Sequence, residues 1–195
     1  AFSSSGLQNS ETIGSITTSS TGSSTSATVG TYALIPSAAT GGTFTASNYT
    51  IAYANGILTV GTKALTITAS QQTGDYGVSL NLGTSQYTSS GLINGNSISG
   101  VTLLYSNNAI VAPTVNAGTY SGGIVPSAAT GSGLSNYAIT YVNGNLVINK
   151  ATLTVTPNAK SVNYDGATLN NGTYSVAIGN YTVTGYKNSD NATSA

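Results

Sequence analysis

The 195-residue chain lacks cysteine, histidine, methionine, tryptophan and arginine. Without histidine or cysteine, the commonest zinc ligands, the thiol nucleophiles and the usual general bases are missing. We therefore predict no catalytic residues, no metal site and no bound cofactor, and we expect that the protein is not an enzyme.

Charge is also scarce, since charged residues make up 4% of the chain and the formal net charge is zero. Nucleic-acid phosphates and anionic lipids both need clustered basic residues, which this sequence does not offer. No run approaches the roughly 20 apolar residues of a membrane span. A cytosolic protein would carry about a quarter charged residues. The composition therefore favours an extracellular or bacterial cell-surface protein, with no nucleic-acid partner and no membrane insertion in this segment.

The few acidic residues lie far apart. No two of them have the Asp-x-Asp spacing of a calcium loop, and none forms an obvious pair of glycosidase carboxylates. Asp75 and Asp165 each adjoin a Tyr-Gly or Tyr-Asp-Gly sequence, where aspartate commonly bonds its own backbone. We interpret both as turn-forming residues.

What the chain does contain is a repeat with an offset of about 88 residues. Tandem arrays of this kind serve as spacers or as repeated contact surfaces more often than as enzymes. The paired segments are 29–32 with 117–120, 36–41 with 126–131, 48–53 with 136–141, 55–60 with 143–148, and 63–68 with 150–156.

The phase of the repeat divides the chain into three parts. Because residues 6–9 align with 91–94 and with 185–188, we assign 1–62 as the C-terminal part of one module, 63–150 as a complete module, and 151–195 as the N-terminal part of the next. A partial module leaves apolar edges uncovered. We expect neighbouring repeats or identical subunits to cover them by β-strand complementation.

Period-two alternation predicts strands at 64–69 and 152–156, where apolar side chains fall on one face and threonine hydroxyls on the other. Asn-Gly pairs at 55–56 and 143–144 separate further alternating runs, which predicts a type I′ hairpin at the end of each module. Residues 91–98 have room for one helical turn.

The predicted fold class is all-β, with small β-sandwich or β-grasp-like modules stacked end to end and at most one short helical turn per module. Tyrosines recur at matching positions, and we expect their rings to form much of the core. The recurrent tyrosines are Tyr32, Tyr49 and Tyr53, followed by Tyr120, Tyr137 and Tyr141.

Two sets of residues are candidate interaction sites. Lys63 opens the complete module, and Lys150 and Ala151 join that module to the next without a flexible spacer, which predicts stiff inter-module junctions. Tyr105, Tyr141 and Asn143 are candidates for a surface that packs or contacts a ligand.

Six short motifs, in fixed order and spacing, carry a family resemblance. They are 63–69, 76–77, 91–95, 118–120, 136–141 and 144–148, and residues 163–166 add a Tyr-Asp-Gly signature. In this the chain resembles the mostly-β, glycine-rich MBG repeats of very large bacterial adhesins and haemagglutinin-like proteins, which are accompanied by a Tyr-Asp-Gly sister repeat. It departs from them at 78–80, where Val-Ser-Leu replaces the usual proline and charged residue.

The resemblance implies a structural or adhesive segment of a repetitive secreted surface protein, forming a stiff stalk or an extracellular fibre in adhesion or biofilm matrix. The alternative is a carbohydrate-binding adhesin module whose exposed tyrosine and asparagine side chains contact surface glycans.

Overall fold

A computed structural model describes residues 1–159, 161 and 181–191, and in these residues the fold is all-β, as predicted. Helical structure in the described part is limited to 3₁₀ turns at Thr21–Ser23, Ala46–Asn48 and Leu134–Asn136. The last two occupy equivalent places in successive copies. The helical turn of the complete module therefore lies at Leu134–Asn136 and not within 91–98.

The chain divides into two compact units. One comprises Ala1–Leu65, Gly91–Ser97 and Gly131–Thr140, and the other comprises Thr66–Ser90, Ile98–Thr130 and Tyr141–Ala195. Hence the first unit combines the first repeat copy with short segments of the complete module. The second unit holds the rest of the complete module and residues 151–195.

The first copy, residues 1–62, forms a three-stranded antiparallel sheet in the order β1-β2-β3. Its strands are β1 (Ile13–Ser19), β2 (Gly30–Gly42) and β3 (Gly56–Val60).

The complete module contains nine strands in the described residues. They are β4 (Lys63–Ala69), β5 (Gln72–Asp75), β6 (Leu80–Asn81), β7 (Tyr87–Ser90), β8 (Ser97–Leu104), β9 (Ile110–Val111), β10 (Gly118–Ser132), β11 (Tyr137–Val142) and β12 (Gly144–Asn149). They form sheets in the orders β5-β12-β10-β8, β11-β4-β7 and β6-β9. The described residues of 151–195 add a two-stranded antiparallel sheet of β13 (Thr154–Pro157) and β14 (Tyr181–Thr184).

The sequence repeat is reproduced in the sheets. Strands β8, β10 and β12 are the counterparts of β1, β2 and β3 and lie in the same order. One difference is that β10 carries two extra residues, Gly122 and Gly123, which shift its register against β12 between Tyr120 and Ile124. Gly122 has a φ of +64°, which a glycine adopts without strain.

The predicted type I′ hairpin at the end of each module is wrong. Strands β11 and β12 belong to different sheets, so residues 143–144 carry the chain from one sheet to another. Neither Asn143 nor Gly144 has a positive φ, as a type I′ turn would require. Gly144 serves close packing instead, because a Cβ there would lie 2.5 Å from the Ala69 carbonyl oxygen.

The core of the complete module is aliphatic, so the expectation of a tyrosine-rich core is also wrong. Strand β4 alternates as predicted, with Leu65, Ile67 and Ala69 buried and the two threonines between them half-buried. The remaining large fully buried side chains are Leu82, Val101, Leu103, Val111, Ile124 and Leu146. Of the recurrent tyrosines, only Tyr137 is buried. A phenol hydroxyl needs a polar partner, which keeps such rings near the rim of a core.

Candidate functional site

A tight turn recurs at the start of the second half of each module. In residues 8–11, 93–96 and 187–190, the amide of the last residue donates to the carbonyl of the first, at 2.8–3.0 Å. The two central residues have positive φ in all three turns, for example +56° at Asn94 and +69° at Gly95. These are the dihedral signs of a type I′ turn. We call this feature the junction turn.

The asparagine of the junction turn binds the preceding module. The Asn94 side-chain amide donates to the Thr25 carbonyl oxygen at 2.9 Å. The Asn188 amide donates to the Pro113 carbonyl oxygen at 2.7 Å. Thr25 and Pro113 are equivalent positions of successive copies, and each bond lies within a single compact unit. The chain therefore makes the same inter-module contact twice.

Each junction has a further polar contact. At the first, the Val29 amide donates to Asn136 Oδ1 at 2.9 Å. At the second, the Tyr76 hydroxyl donates to Asp190 Oδ2 at 3.0 Å. The neighbouring Gly77 leaves room for the turn, because a Cβ there would lie 2.5 Å from Lys187 Cγ. The Tyr-Gly motif thus receives the junction turn of the following module.

Sequence reasoning missed the junction turn although its signal was present. Asn94 and Gly95 form the kind of Asn-Gly pair that favours a type I′ turn, as was predicted for 55–56 and 143–144. Residues 91–98 also have room for a helical turn, which the structure does not form there. The recurrence of asparagine at 9, 94 and 188 was the clue to a repeated role.

Tyrosine hydroxyls anchor the backbone at matching places in the two copies. Tyr53 and Tyr141 accept from the amides of Ala39 and Ala129, at 2.9 and 2.8 Å. The residue before each of these alanines has a positive φ, and in the first copy the β1–β2 register shifts at this point. The hydroxyl therefore satisfies an amide at an irregular point of the long strand. Tyr32 and Tyr120 donate to the carbonyls of Thr28 and Asn116, and Tyr49 and Tyr137 accept from the amides of Gln8 and Ile93.

The first copy has an open groove. A cavity of about 700 Å³ is lined largely by apolar and aromatic side chains, among them Leu34, Phe44, Tyr49, Ile51 and Tyr53. By the repeat, residues 6–62 correspond to 91–150 and residues 1–5 to 86–90, so residues 1–62 include no counterpart of β4 to β6. In the complete module, β4 pairs with β11 in the sheet order β11-β4-β7. Residues 49–54 correspond to β11 and are not in a strand.

The predicted packing or ligand residues are engaged in contacts within the module. Tyr105 packs edge-on against Tyr120, with ring centroids 5.5 Å apart, and the Asn143 amide donates to the Gly122 carbonyl at 3.1 Å. Tyr105 and Asn143 therefore lie next to the two-glycine insertion of β10, whereas Tyr141 bonds to Ala129 further along that strand. Desolvation raises the pKa of the Tyr105 phenol.

Of the predicted junction residues, Lys63 and Lys150 are exposed and Ala151 is half-buried. Lys150 and Ala151 line a cavity of about 480 Å³ together with Asn116, Ala117 and residues of the junction turn 187–190.

The acidic residues that the structure describes, Glu11, Asp75 and Asp190, each accept a side-chain hydrogen bond. Asp75 accepts from the Asn149 amide at 2.9 Å, across the parallel pairing of β5 and β12. Asp165 lies outside the described residues. Glu11 accepts from the Tyr49 hydroxyl, which raises the pKa of that phenol because the phenolate could not donate this bond. In the described part of the chain, no three metal-binding side chains cluster and no helix has the length and apolarity to cross a membrane.

The sequence profile of the MBG domain, YGX type, matches residues 1–59 and 65–147. The two matched segments fall within the segments 1–62 and 63–150. No characterised protein and no solved structure shows significant similarity to the chain.

Proposed function

The chain belongs to the MBG domain family of YGX type, whose members occur as repeats in surface proteins, and on that premise we propose that it is a structural segment of a secreted bacterial adhesin. Its modules stack into a stiff stalk or extracellular fibre that holds an adhesive region away from the cell. The observation that carries this proposal is the repeated junction contact, from Asn94 to Thr25 and from Asn188 to Pro113.

A repeated contact at equivalent positions favours a fixed relation between neighbours. Each junction turn has a rigid backbone, because its central residues occupy a narrow left-handed region. Each also carries a second polar contact, Val29 to Asn136 in one case and Tyr76 to Asp190 in the other. Two anchoring points per junction resist swinging better than a flexible linker does.

Small-angle X-ray scattering of the full chain at low concentration tests the stiffness. We expect a single rigid arrangement to fit the scattering curve. The double variant Asn94→Ala/Asn188→Ala removes the shared bond from both junctions and should give the rising Kratky tail of a flexible chain.

The matched control is Asn108→Ala/Asn143→Ala, because these amides bond only within the complete module, to the carbonyls of Ser106 and Gly122. This control should scatter as the unaltered chain does. A flexible-coil profile from the unaltered chain would contradict the proposed stalk.

The carbohydrate-binding alternative stays a prediction. No contact of Tyr105, Tyr141 or Asn143 favours it, since each side chain is engaged within its own module. Glycan-array binding that Tyr105→Ala abolishes would support it.

A further inference from the structure

We propose that Asn94 is a site of spontaneous deamidation, and that its conversion to aspartate or isoaspartate releases the first junction. This inference rests on the proposed stalk and deepens it, because it makes one of the two described junctions fixed only for a limited time.

The reactive sequence is an asparagine followed by glycine. This pair deamidates most readily, because glycine has no side chain to hinder attack by its own amide nitrogen. The chain contains four such pairs, at 55–56, 94–95, 143–144 and 171–172. The last pair lies outside the described residues. The structure distinguishes the other three by what holds the glycine.

Gly95 is the least restrained of these glycines. It is exposed in the middle of the junction turn, and a Cβ there would meet no atom within 4 Å. Gly144 is buried in β12, where a Cβ would lie 2.5 Å from the Ala69 carbonyl oxygen. Gly56 is held in β3 by pairing with Leu34 of β2. Cyclisation requires the backbone to rotate between the two residues, which a packed or paired strand resists and an exposed turn resists less.

The other two junction turns lack the reactive pair. Their central residues are Asn9-Ser10, with φ of +53° and +59°, and Asn188-Ser189, with φ of +51° and +70°. Serine therefore supports the same turn, and the turn does not require glycine at position 95. The choice of glycine makes the first junction chemically different from the second.

The reaction needs only water. The Gly95 nitrogen bonds to Asn94 Cγ, the bond from Cγ to Nδ2 breaks, and ammonia leaves with the former Gly95 amide proton. Water then opens the succinimide ring. Opening between Cγ and the nitrogen gives aspartate, and opening between the main-chain carbonyl carbon and the nitrogen gives isoaspartate.

Both products lose the bond that holds the junction. The Asn94 amide donates to the Thr25 carbonyl oxygen at 2.9 Å. A carboxylate can only accept, so the two oxygens repel each other instead. Isoaspartate also routes the main chain through Cβ and Cγ, which lengthens the turn that the Asn96 amide closes onto the Ile93 carbonyl. The first junction then depends on its other polar contact, between Val29 and Asn136.

The intact junction sets the pace of the reaction. While the Asn94 side chain is bound to Thr25, it is not free to rotate toward the Gly95 nitrogen. Deamidation therefore proceeds from the opened junction, and its rate follows the fraction of time that the junction is open. A junction that opens often is converted sooner into one that stays open.

Peptide mass spectrometry of the full chain, incubated in mildly alkaline water enriched in heavy oxygen, tests the site. We expect the label to enter at residue 94 well before residues 143 and 188. Gly95→Ser, which installs the residue of the other two turns, should slow labelling at residue 94 by about tenfold or more, because a hindered amide raises the barrier. Asn136→Ala should accelerate it roughly fivefold, since the loss of one net hydrogen bond makes opening that much more frequent.

Small-angle scattering of the incubated chain tests the release of the junction. The labelled chain and freshly purified Asn94→Asp should both show the rising Kratky tail of a flexible chain. Gly95→Ser is the matched control, because it keeps the amide that binds Thr25. It should scatter like the fresh unaltered chain both before and after incubation.

Label that enters at residue 143 or 188 as fast as at residue 94 overturns the proposed site. A fully labelled chain that scatters like the fresh one overturns the release of the junction. A fresh chain that is already flexible contradicts the stalk instead, whereas the mass spectra report the deamidation site independently of stiffness.

Discussion

The first copy and the complete module share the repeat over residues 6–62 and 91–150, yet equivalent side chains have different surroundings. Leu146, Ile148 and Gly144 are buried in the complete module. Their counterparts Leu58 and Val60 are half-buried, and Gly56 is exposed. The difference shows that the three-stranded half of the module is not closed by its own residues, and that strand β4 completes the core.

Other features are the same in both copies. The tyrosine bonds to Ala39 and Ala129 differ by 0.1 Å, at 2.9 and 2.8 Å. The preceding alanines, Ala38 and Ala128, have φ values of +48° and +46°. Both features involve only residues of the same copy that lie close to one another. Local backbone geometry is therefore the same in the two copies. Burial differs, because it depends on a strand that lies outside residues 91–150.

The largest contrast is expected for the central leucine of the last strand. Leu146→Ala should destabilise the complete module by about 3 kcal/mol, because it leaves a cavity in a closed core. Leu58→Ala should cost roughly 1 kcal/mol or less, since Leu58 is only half-buried. Hydrogen exchange of the amides in β12 and β3 reports the two regions separately. Equal costs would mean that the first copy has a closed core as well.

The next largest difference in stability is expected for the glycine at which the chain crosses between sheets, Gly144, and its counterpart Gly56. Gly144→Ala should cost about 2 kcal/mol, because its Cβ would press on the backbone of β4 at Ala69. At Gly56 the nearest atom to a new Cβ is Leu34 Cβ at 3.7 Å, so Gly56→Ala should be tolerated. Denaturant unfolding of the two variants checks this.

Removing the tyrosine hydroxyl that accepts from the long strand tests a hydrogen bond that both copies share. Tyr141→Phe should cost about 1 kcal/mol or more, because the half-buried Ala129 amide loses its partner. Tyr53→Phe should cost a comparable amount, because the amide that loses its partner belongs to the buried Ala39, although the Tyr53 ring is 43% exposed. Amide exchange at Ala129 and Ala39 measures both effects. A negligible cost in either variant would show that the tyrosine hydroxyl does not stabilise that amide.

The smallest effect concerns pH. The hydrogen bond to Glu11 raises the pKa of Tyr49, so the bond stabilises the first copy below the ordinary tyrosine value of about 10 and is lost as pH rises through the higher folded pKa. Glu11→Gln should return the Tyr49 titration toward the ordinary value. Phenolate absorbance, compared with Tyr49→Phe, measures the shift. An unchanged titration in Glu11→Gln would show that the carboxylate is not the cause.

Sequence alone determined the all-β class, the repeat, the family and the alternating strand β4. These follow from short-range patterns, because the two faces of a strand alternate with a period of two whatever lies around it. The sequence also contained the Asn94-Gly95 signal of the junction turn, although the same segment, 91–98, had room for a helical turn.

Only the tertiary structure decided which strands pair and which residues close the core. The Asn-Gly sequence at 143–144 favours a hairpin locally, but Ala69 of β4 lies so near that the chain crosses between sheets there. In the same way, Leu58 and Leu146 read alike in sequence and differ in burial, because burial depends on a strand distant along the chain. A local pattern specifies the conformation of its own residues, whereas a core forms only where separate segments meet.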